Sequence, residues 1–278
     1  MFGFLGTIWN TILFYPFLNT LVILYHILGN NLGWAVIVLA VAIRLALIPS
    51  GKSQLEMTQK MTAIKPQLDK VQKQYANNQE KLVEAQMRIY KESGYNPLGC
   101  VSSLIPQLLI LYVMIEVINV VTRNSFSGIY EPVKQWIFGN VAISDIRLDT
   151  TFYFIDLSKT ATSLGYTLAG LPYYALALLV GLTQYLSTVF LQKFQQGNTT
   201  ITKKNRKPGE AMDPMEMQTQ MLGSMNIIFP IMTAFISISA PAVLGVYWFV
   251  QSLMLVAQYF ILDWNKSKEI ILSYFKRN

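Results

Sequence analysis

The sequence predicts an all-α membrane protein: five transmembrane helices around a hydrophilic groove, with a cytoplasmic helical hairpin and an N-terminal interfacial helix. Three observations predict it. Of 278 residues, 53% are hydrophobic and only 13% are charged, where soluble domains carry about 25% charged residues. The apolar residues fall in long runs without charge, the pattern of spans. The cations gather in a few segments between those runs. This composition excludes a disordered chain, which is poor in apolar residues. It also argues against a soluble enzyme. The formal net charge of +7 would suit a nucleic-acid binder, but not at this apolar content, and no nucleic-acid sequence recognition is expected.

The elements follow in chain order. Residues 1–31 hold no Lys, Arg, Asp or Glu. Pro16 splits their apolar stretch into two short pieces, which favours a helix from Phe17 to Leu28 on the outer membrane surface. A sixth span there would move only the N-terminus. The first span, 32–50, holds the run LGWAVIVLAVAIRLALIP (Leu32 to Pro49), which contains Arg44. Residues 51–96 are polar, with apolar positions at helical spacing: Met57, Met61, Ile64, Leu68, Val71, Tyr75, then Leu82, Ala85, Ile89. They read as two antiparallel helices broken at Ala76-Asn77-Asn78-Gln79. Met57, Met61, Lys65, Lys73 and Arg88 mark this hairpin as a contact surface; the plain alternative is an amphipathic hairpin with solvated charges. The second span, 97–122, carries Glu116 near its outer end.

The loop 123–170 is followed by the third span, 171–192. A Gly-, Asn-, Lys- and Met-bearing loop covers 193–221. The fourth span, 222–240, and the fifth, 241–262, meet at Pro241. A basic tail, 263–278, ends the chain.

The cations orient the spans. Eight Lys or Arg lie between Lys52 and Glu92, five in 193–221 and four in the tail; the longer loop 123–170 has four cations against four acids. The cationic side is the cytoplasm. This gives a multi-pass membrane protein with five spans, the N-terminus outside and the C-terminus cytoplasmic. The first charged residue is Arg44, so the charged start of a cleavable signal peptide is missing.

Catalytic and metal chemistry find no support. Cys100 and His26 are the single residues of their kinds, and no HExxH, CxxC, GxSxG or Walker loop occurs. No cofactor, metal or enzymatic activity is expected.

Arg44 is the informative residue. An Arg at a span centre costs about 2.5–3.5 kcal/mol on the insertion scale, and each Leu, Ile or Val returns about 0.3–0.6. The first span has ten of these, so it still inserts. One reading of Arg44 is snorkelling, since Pro49 is only five residues on and Arg can reach that far. The other is a wet cavity open to the cytoplasm. Polar residues at helical spacing favour the cavity: Ser103 and Gln107, with Ser102, in the second span; Gln184 and Thr188, with Gln192, in the third; Asn226 and Thr233, with Ser237, in the fourth; Tyr247, Gln251 and Gln258 in the fifth. Such stripes also serve as interhelical glue. A cavity with no polar path outward makes a poor channel, but it can hold a hydrophilic peptide within the bilayer while a hydrophobic segment enters lipid. The competing function is a small-solute transporter or channel with an anion site at Arg44.

These residues resemble the YidC/Oxa/Alb membrane protein insertases. The match is carried by GNNLGWAVIVLAVAIRLALIP (Gly29 to Pro49), the Met/Gln/Lys-rich hairpin, Asn96-Pro97-Leu98-Gly99-Cys100, Phe154-Ile155-Asp156-Leu157-Ser158, Met221 to Pro230, and Pro241 to Gln258. The resemblance implies a five-helix core with a groove open to cytoplasm and lipid and sealed outside. It implies Arg44 as the groove cation, with Gln184, Trp248 and Gln251 as lining. It also implies substrates that are nascent membrane proteins with short translocated segments. The implied partners are ribosomes, signal-recognition components, the Sec translocon and the lipid bilayer. The chain departs from the family in two ways. It carries neither the large periplasmic domain nor the lipoprotein signal found in many members, and its 123–170 loop is long.

Overall fold

The computed structural model describes residues 2–75, 78–95, 99–123, 126, 128–196 and 214–275; the side chains of 2–5, 58, 62, 79, 99–104, 106–107, 195–196, 214–226 and 274–275 lie outside that description. Of the described residues, 81% are helical. In order, α1 (Phe2–Trp9), a π-helical turn (Asn10–Phe14) and α2 (Tyr15–Ile27) precede α3 (Leu32–Ala46), α4 (Ile48–Gln74), α5 (Gln79–Ser93) and α6 (Gly99–Thr122). Then come α7 (Glu131–Phe138), a 3₁₀ turn (Ile143–Asp145), β1 (Thr151–Phe152), β2 (Ile155–Asp156) and α8 (Ala161–Leu164). The chain ends with α9 (Leu171–Gln196), α10 (Pro214–Ser239), α11 (Ala242–Leu262) and α12 (Trp264–Phe275).

Among the described residues, three helical stretches are long and apolar enough to cross a membrane: Gly6–Ile27, Leu171–Phe194 and Ala242–Leu262. The bent pair α3 and α4 makes a fourth if counted as one span. The described apolar parts of α6 and α10 are shorter, Leu108–Thr122 and Ile227–Ser239. This is a multi-pass membrane protein.

The centre of the bundle is α11, packed between α3 and α9; α10 lies on α9, and α2 lies against α3, α6 and α7. Contact between α9 and α10 is close because Gly181 has no side chain: a Cβ there would stand 2.7 Å from Cβ of Ala234. The main core is continuous through α2, α3, α6 and α11, from Leu18 and Leu21 through Val36 and Met114 to Tyr247. A smaller cluster of Leu55, Phe190, Phe194 and Tyr259 joins α4, α9 and α11, and the flanking Ile270 and Ile271 bring in α12.

The break expected at Pro16 does not occur. A proline needs no N–H partner at the start of a helical segment, and Pro16 is the second residue of α2, which begins at Tyr15 right after the π-helical turn, so the helix runs on. Instead of two short pieces, the N-terminus forms one helical stretch whose Gly6–Ile27 portion has span length. Its second half runs beside the long loop: the Asn19 amide donates to the carbonyl of Gly128 (3.0 Å) and accepts from the N–H of Tyr130 (2.8 Å).

The expected helical hairpin is present. Pro49 sits in the first turn of α4, which leaves α3 at a 47° bend. Asn78 caps α5 by accepting from the N–H of Lys81 (3.1 Å), and Gly94 ends α5 in the left-handed region at φ +62°. Pro66 lies inside α4 without ending it. Ile64, Leu68 and Tyr95 form a small core for the pair, flanked by Met61 and Ile89.

The 123–170 loop builds a cap. Phe152 lies against Gly33, where any Cβ would collide with its ring. The carbonyls of Leu157 and Lys159 accept from the first N–H groups of α11, Val243 (3.0 Å) and Ala242 (2.9 Å). Those donors have no partner inside their own helix. Asp156 holds the cap together. Its Oδ1 accepts from the hydroxyls of Thr150 and Ser158 (2.7 Å each) and from the N–H of Ser158 (3.0 Å), and Lys159 pairs with Oδ2 (3.4 Å). The hydroxyl of Tyr173 on α9 accepts from the Asp156 N–H and donates to its carbonyl.

Partial burial alone would raise the Asp156 carboxyl; the hydrogen bonds from Ser158 and Thr150, with Lys159, outweigh it and hold the carboxyl below its usual range. A carboxyl lowered in the folded state contributes stability above its unfolded value, about 3.9. That contribution is lost as the pH falls through the folded value. Asp156→Asn is therefore expected to melt below wild type at pH 7, with the gap closing below about pH 4. Thermal unfolding in detergent at the two pH values checks this.

Candidate functional site

Arg44 occupies the last turn of α3. Only 7% of its surface is exposed, so it does not reach out along the helix into solvent. It is folded against α11, where the phenols of Tyr247 and Tyr259 lie within electrostatic reach of the guanidinium. The Tyr247 hydroxyl is buried and has no hydrogen-bond partner among the described residues. One turn before Arg44, the carbonyl of Ala40 accepts from Nε2 of Gln251 (3.1 Å). Gln258 is buried further along α11 and touches Gly51 of α4, where its amide fills the space a side chain would need.

A second polar contact joins α11 to α9. Oγ of Ser252 lies 2.7 Å from Oε1 of Gln184 and 2.9 Å from the carbonyl of Trp248, so its one proton is shared between them. The structure thus brings Arg44, Tyr247, Gln251 and Gln258 to the α3–α4–α11 contact, and Gln184 and Trp248 to Ser252. Two expected residues turn back onto their own helices: Thr188 donates to the carbonyl of Gln184 (2.6 Å) and Thr233 to that of Phe229 (2.8 Å). Ser103, Gln107 and Asn226 lie on α6 and α10 with side chains outside the described residues.

Ser252 was not singled out in the sequence. It follows Gln251 directly and is therefore rotated about 100° from the Tyr247–Gln251–Gln258 stripe. A search for polar residues facing α9 rather than α3 would have found it. Glu116, the one acid expected within a span, accepts from the Trp9 indole N–H (2.7 Å) and so joins α6 to α1.

On the cytoplasmic-contact candidates, Lys73 and Arg88 are exposed, and Met57, Met61 and Lys65 are half-buried. Arg88 pairs with Glu84 one turn away (3.7 Å). No group of three or more His, Cys, Asp or Glu that could hold a metal occurs among the described residues.

Residues 23–269 match the family described as 60Kd inner membrane protein. The chain belongs to the YidC/Oxa/Alb family. Similar proteins include the membrane protein insertase YidC 2 of Bacillus anthracis, 25% identical over 92% of this chain and 81% of the relative. The membrane protein insertase YidC of Clostridium perfringens is 29% identical over 84% and 81%. The YidC of Streptomyces avermitilis is 26% identical over 84% of this chain, which spans only 52% of that relative's length. Similarity extends to the chloroplast inner membrane protein PPF-1 of Pisum sativum, at 27% identity, 81% of this chain and 47% of the relative.

Interhelical hydrogen bonds in membranes are worth about 0.6 kcal/mol each and up to about 1.7. Gln251→Leu and Ser252→Ala are each expected to lose stability in that range. Thr188→Val and Thr233→Val, which cut only bonds within one helix, should lose less than either. Unfolding in mixed micelles separates the two pairs.

Proposed function

We propose that this YidC-type chain is a membrane protein insertase and chaperone. In this reading it admits hydrophilic segments of nascent membrane proteins into a groove open to the cytoplasm and releases their hydrophobic segments into the bilayer. The observation that carries the reading is Arg44, a cation buried at depth in the first long helix after residue 31. A fixed cation inside low-dielectric surroundings attracts an acidic peptide tail far more strongly than it would in water. The groove itself would shorten the hydrocarbon path that such a tail must cross. Gln184, Trp248, Gln251 and Gln258 would supply hydrogen-bonding groups along that path, with Ser103, Gln107, Thr188, Asn226, Thr233 and Tyr247 as further lining. No nucleotide or covalent intermediate is required.

The topology proposed with it places α4, α5, the loop 193–221 and the tail in the cytoplasm, because 17 of the 22 Lys and Arg fall there. The β-hairpin cap then lies outside, in the cell membrane of a bacterium. Ribosomes, signal-recognition components and the Sec translocon are the partners in this scheme, and the basic surface of α4 and α5 is where nascent chain, ribosome or lipid headgroups would meet it.

In proteoliposomes, Arg44→Ala is expected to lower protease-protected insertion of substrates with short acidic tails about tenfold, equivalent to about 1.4 kcal/mol. Substrates with neutral tails should be little affected, and Arg44→Lys should retain most activity. Equal loss on both substrate classes would point to a folding defect and remove the electrostatic role. A second expectation concerns the hairpin. Removing residues 57–88 leaves Gly51 and Leu55, which pack on α11 and α9, so the bundle should fold and insertion should fail. A folded, fully active deletion overturns the hairpin's role.

A further inference from the structure

The cap carries a feature that its own packing does not require. β1 and β2 pair as a two-residue hairpin, Thr151 opposite Asp156 and Phe152 opposite Ile155. The loop residues are Tyr153 and Phe154. Two-residue hairpin loops favour Asn or Gly because at least one residue takes a positive φ. Here Tyr153 adopts φ +53°, a conformation costly for a bulky side chain. Both rings point away from the fold: Tyr153 is 73% and Phe154 79% exposed. A strained turn that displays two aromatic rings is a reason to look for what the rings touch.

Their surroundings indicate it. The base of the hairpin is fixed at the starts of two spans, on α3 through Phe152 and Gly33 and on α11 through the carbonyls of Leu157 and Lys159. The tip therefore stands at the height where those spans leave the hydrocarbon. Phe152 packs edge-on against both Tyr153 (4.8 Å) and Trp34 (5.9 Å). Trp34 begins an exposed stripe on α3, Trp34, Val38 and Leu45, one helical face turned away from α11. In a multi-pass membrane protein that apolar face meets lipid, and the rings continue it. Aromatic side chains at that height prefer the boundary between headgroups and acyl chains.

We propose that Tyr153 and Phe154 form an anchor seated in the headgroup–acyl boundary beside α3, which holds the cap at a fixed depth over α3 and α11. The anchor depends on the proposed topology only for which leaflet it enters, and its test uses no insertion substrate, so the two can fail separately.

The test is nitroxide accessibility in the full chain, reconstituted in phosphatidylethanolamine–phosphatidylglycerol liposomes on a Cys100→Ser background. Labels are placed at Phe154→Cys, at Asp145→Cys as an exposed reference in the same loop, and at Val38→Cys as a lipid-facing reference. The ratio of oxygen to nickel-chelate collisions at 154 is expected to lie well above that at 145 and below that at 38. A ratio at 154 equal to that at 145 overturns the anchor, whether the rings then face water or another protein; a photoreactive residue at Tyr153 distinguishes those two. The double variant Tyr153→Asn/Phe154→Gly gives the turn its preferred residues and removes both rings. Its melting temperature in detergent should equal or exceed that of the parent, and a label at Thr151→Cys should become several-fold more accessible to the nickel chelate. An unchanged Thr151 ratio in this folded variant also overturns the proposal.

Discussion

Two neighbouring side chains on α11 tie the bundle together. Gln251 and Ser252 project about 100° apart around the helix, so one reaches α3 at Ala40 and the other reaches α9 at Gln184. Hydrocarbon offers no water to take up a spare donor or acceptor, which makes such contacts specific in direction even where each is modest in energy. Their effect is to set α11 in rotation and height against both neighbours. Everything else on α11 follows from that setting, including Tyr247 and Tyr259 beside Arg44 and Gln258 against Gly51.

The same helix is fixed at its start by main-chain chemistry. A helix leaves its first N–H groups without internal partners, and at the mouth of a span these need acceptors. The cap supplies them from Leu157 and Lys159. The Asp156 hydrogen bonds shape the turn that presents those carbonyls, and Tyr173 ties the turn to α9. The long loop is thus not an insertion laid over the bundle. It completes α11, occupies the notch at Gly33 and braces α9, so three of the long helices share one cap.

Much of this was legible in the sequence for identifiable reasons. The α4–α5 hairpin was, because apolar spacing such as Met61, Ile64 and Leu68 is a local signal and the Asn78 cap sits at the break. The cation within α3 was, because Arg44 stands inside an uncharged apolar run; that it folds against α11 instead of snorkelling was not, because that depends on packing between helices. The course of residues 2–27 was not: the effect of Pro16 depends on a π-helical turn before it, and a proline at a segment start looks the same in sequence as one that breaks a helix. The role of Ser252 was not, because stripe reasoning follows one face and α11 uses two. Thr188 and Thr233 show the converse limit: their spacing placed them on a polar stripe, yet a hydroxyl can satisfy itself on the preceding turn of its own helix. The cap was invisible because its function lies in main-chain carbonyls, which carry no residue code.

The position of Arg44 on α3 bears on why a cation is tolerated there. It falls in the last turn of α3, before the bend into α4, where the Leu47 N–H donates to the carbonyls of Ile43 and Arg44. An Arg at mid-span costs about 2.5–3.5 kcal/mol, and the phenol oxygens of Tyr247 and Tyr259 are placed to offset part of that cost. The remainder is covered by the apolar residues of the same helix. A leucine at this position would need none of these arrangements and would favour the bilayer outright. The two tyrosines stand beside a residue that membrane stability alone would not select, and for that reason the proposed function is placed on Arg44 and not on the other polar positions of the bundle.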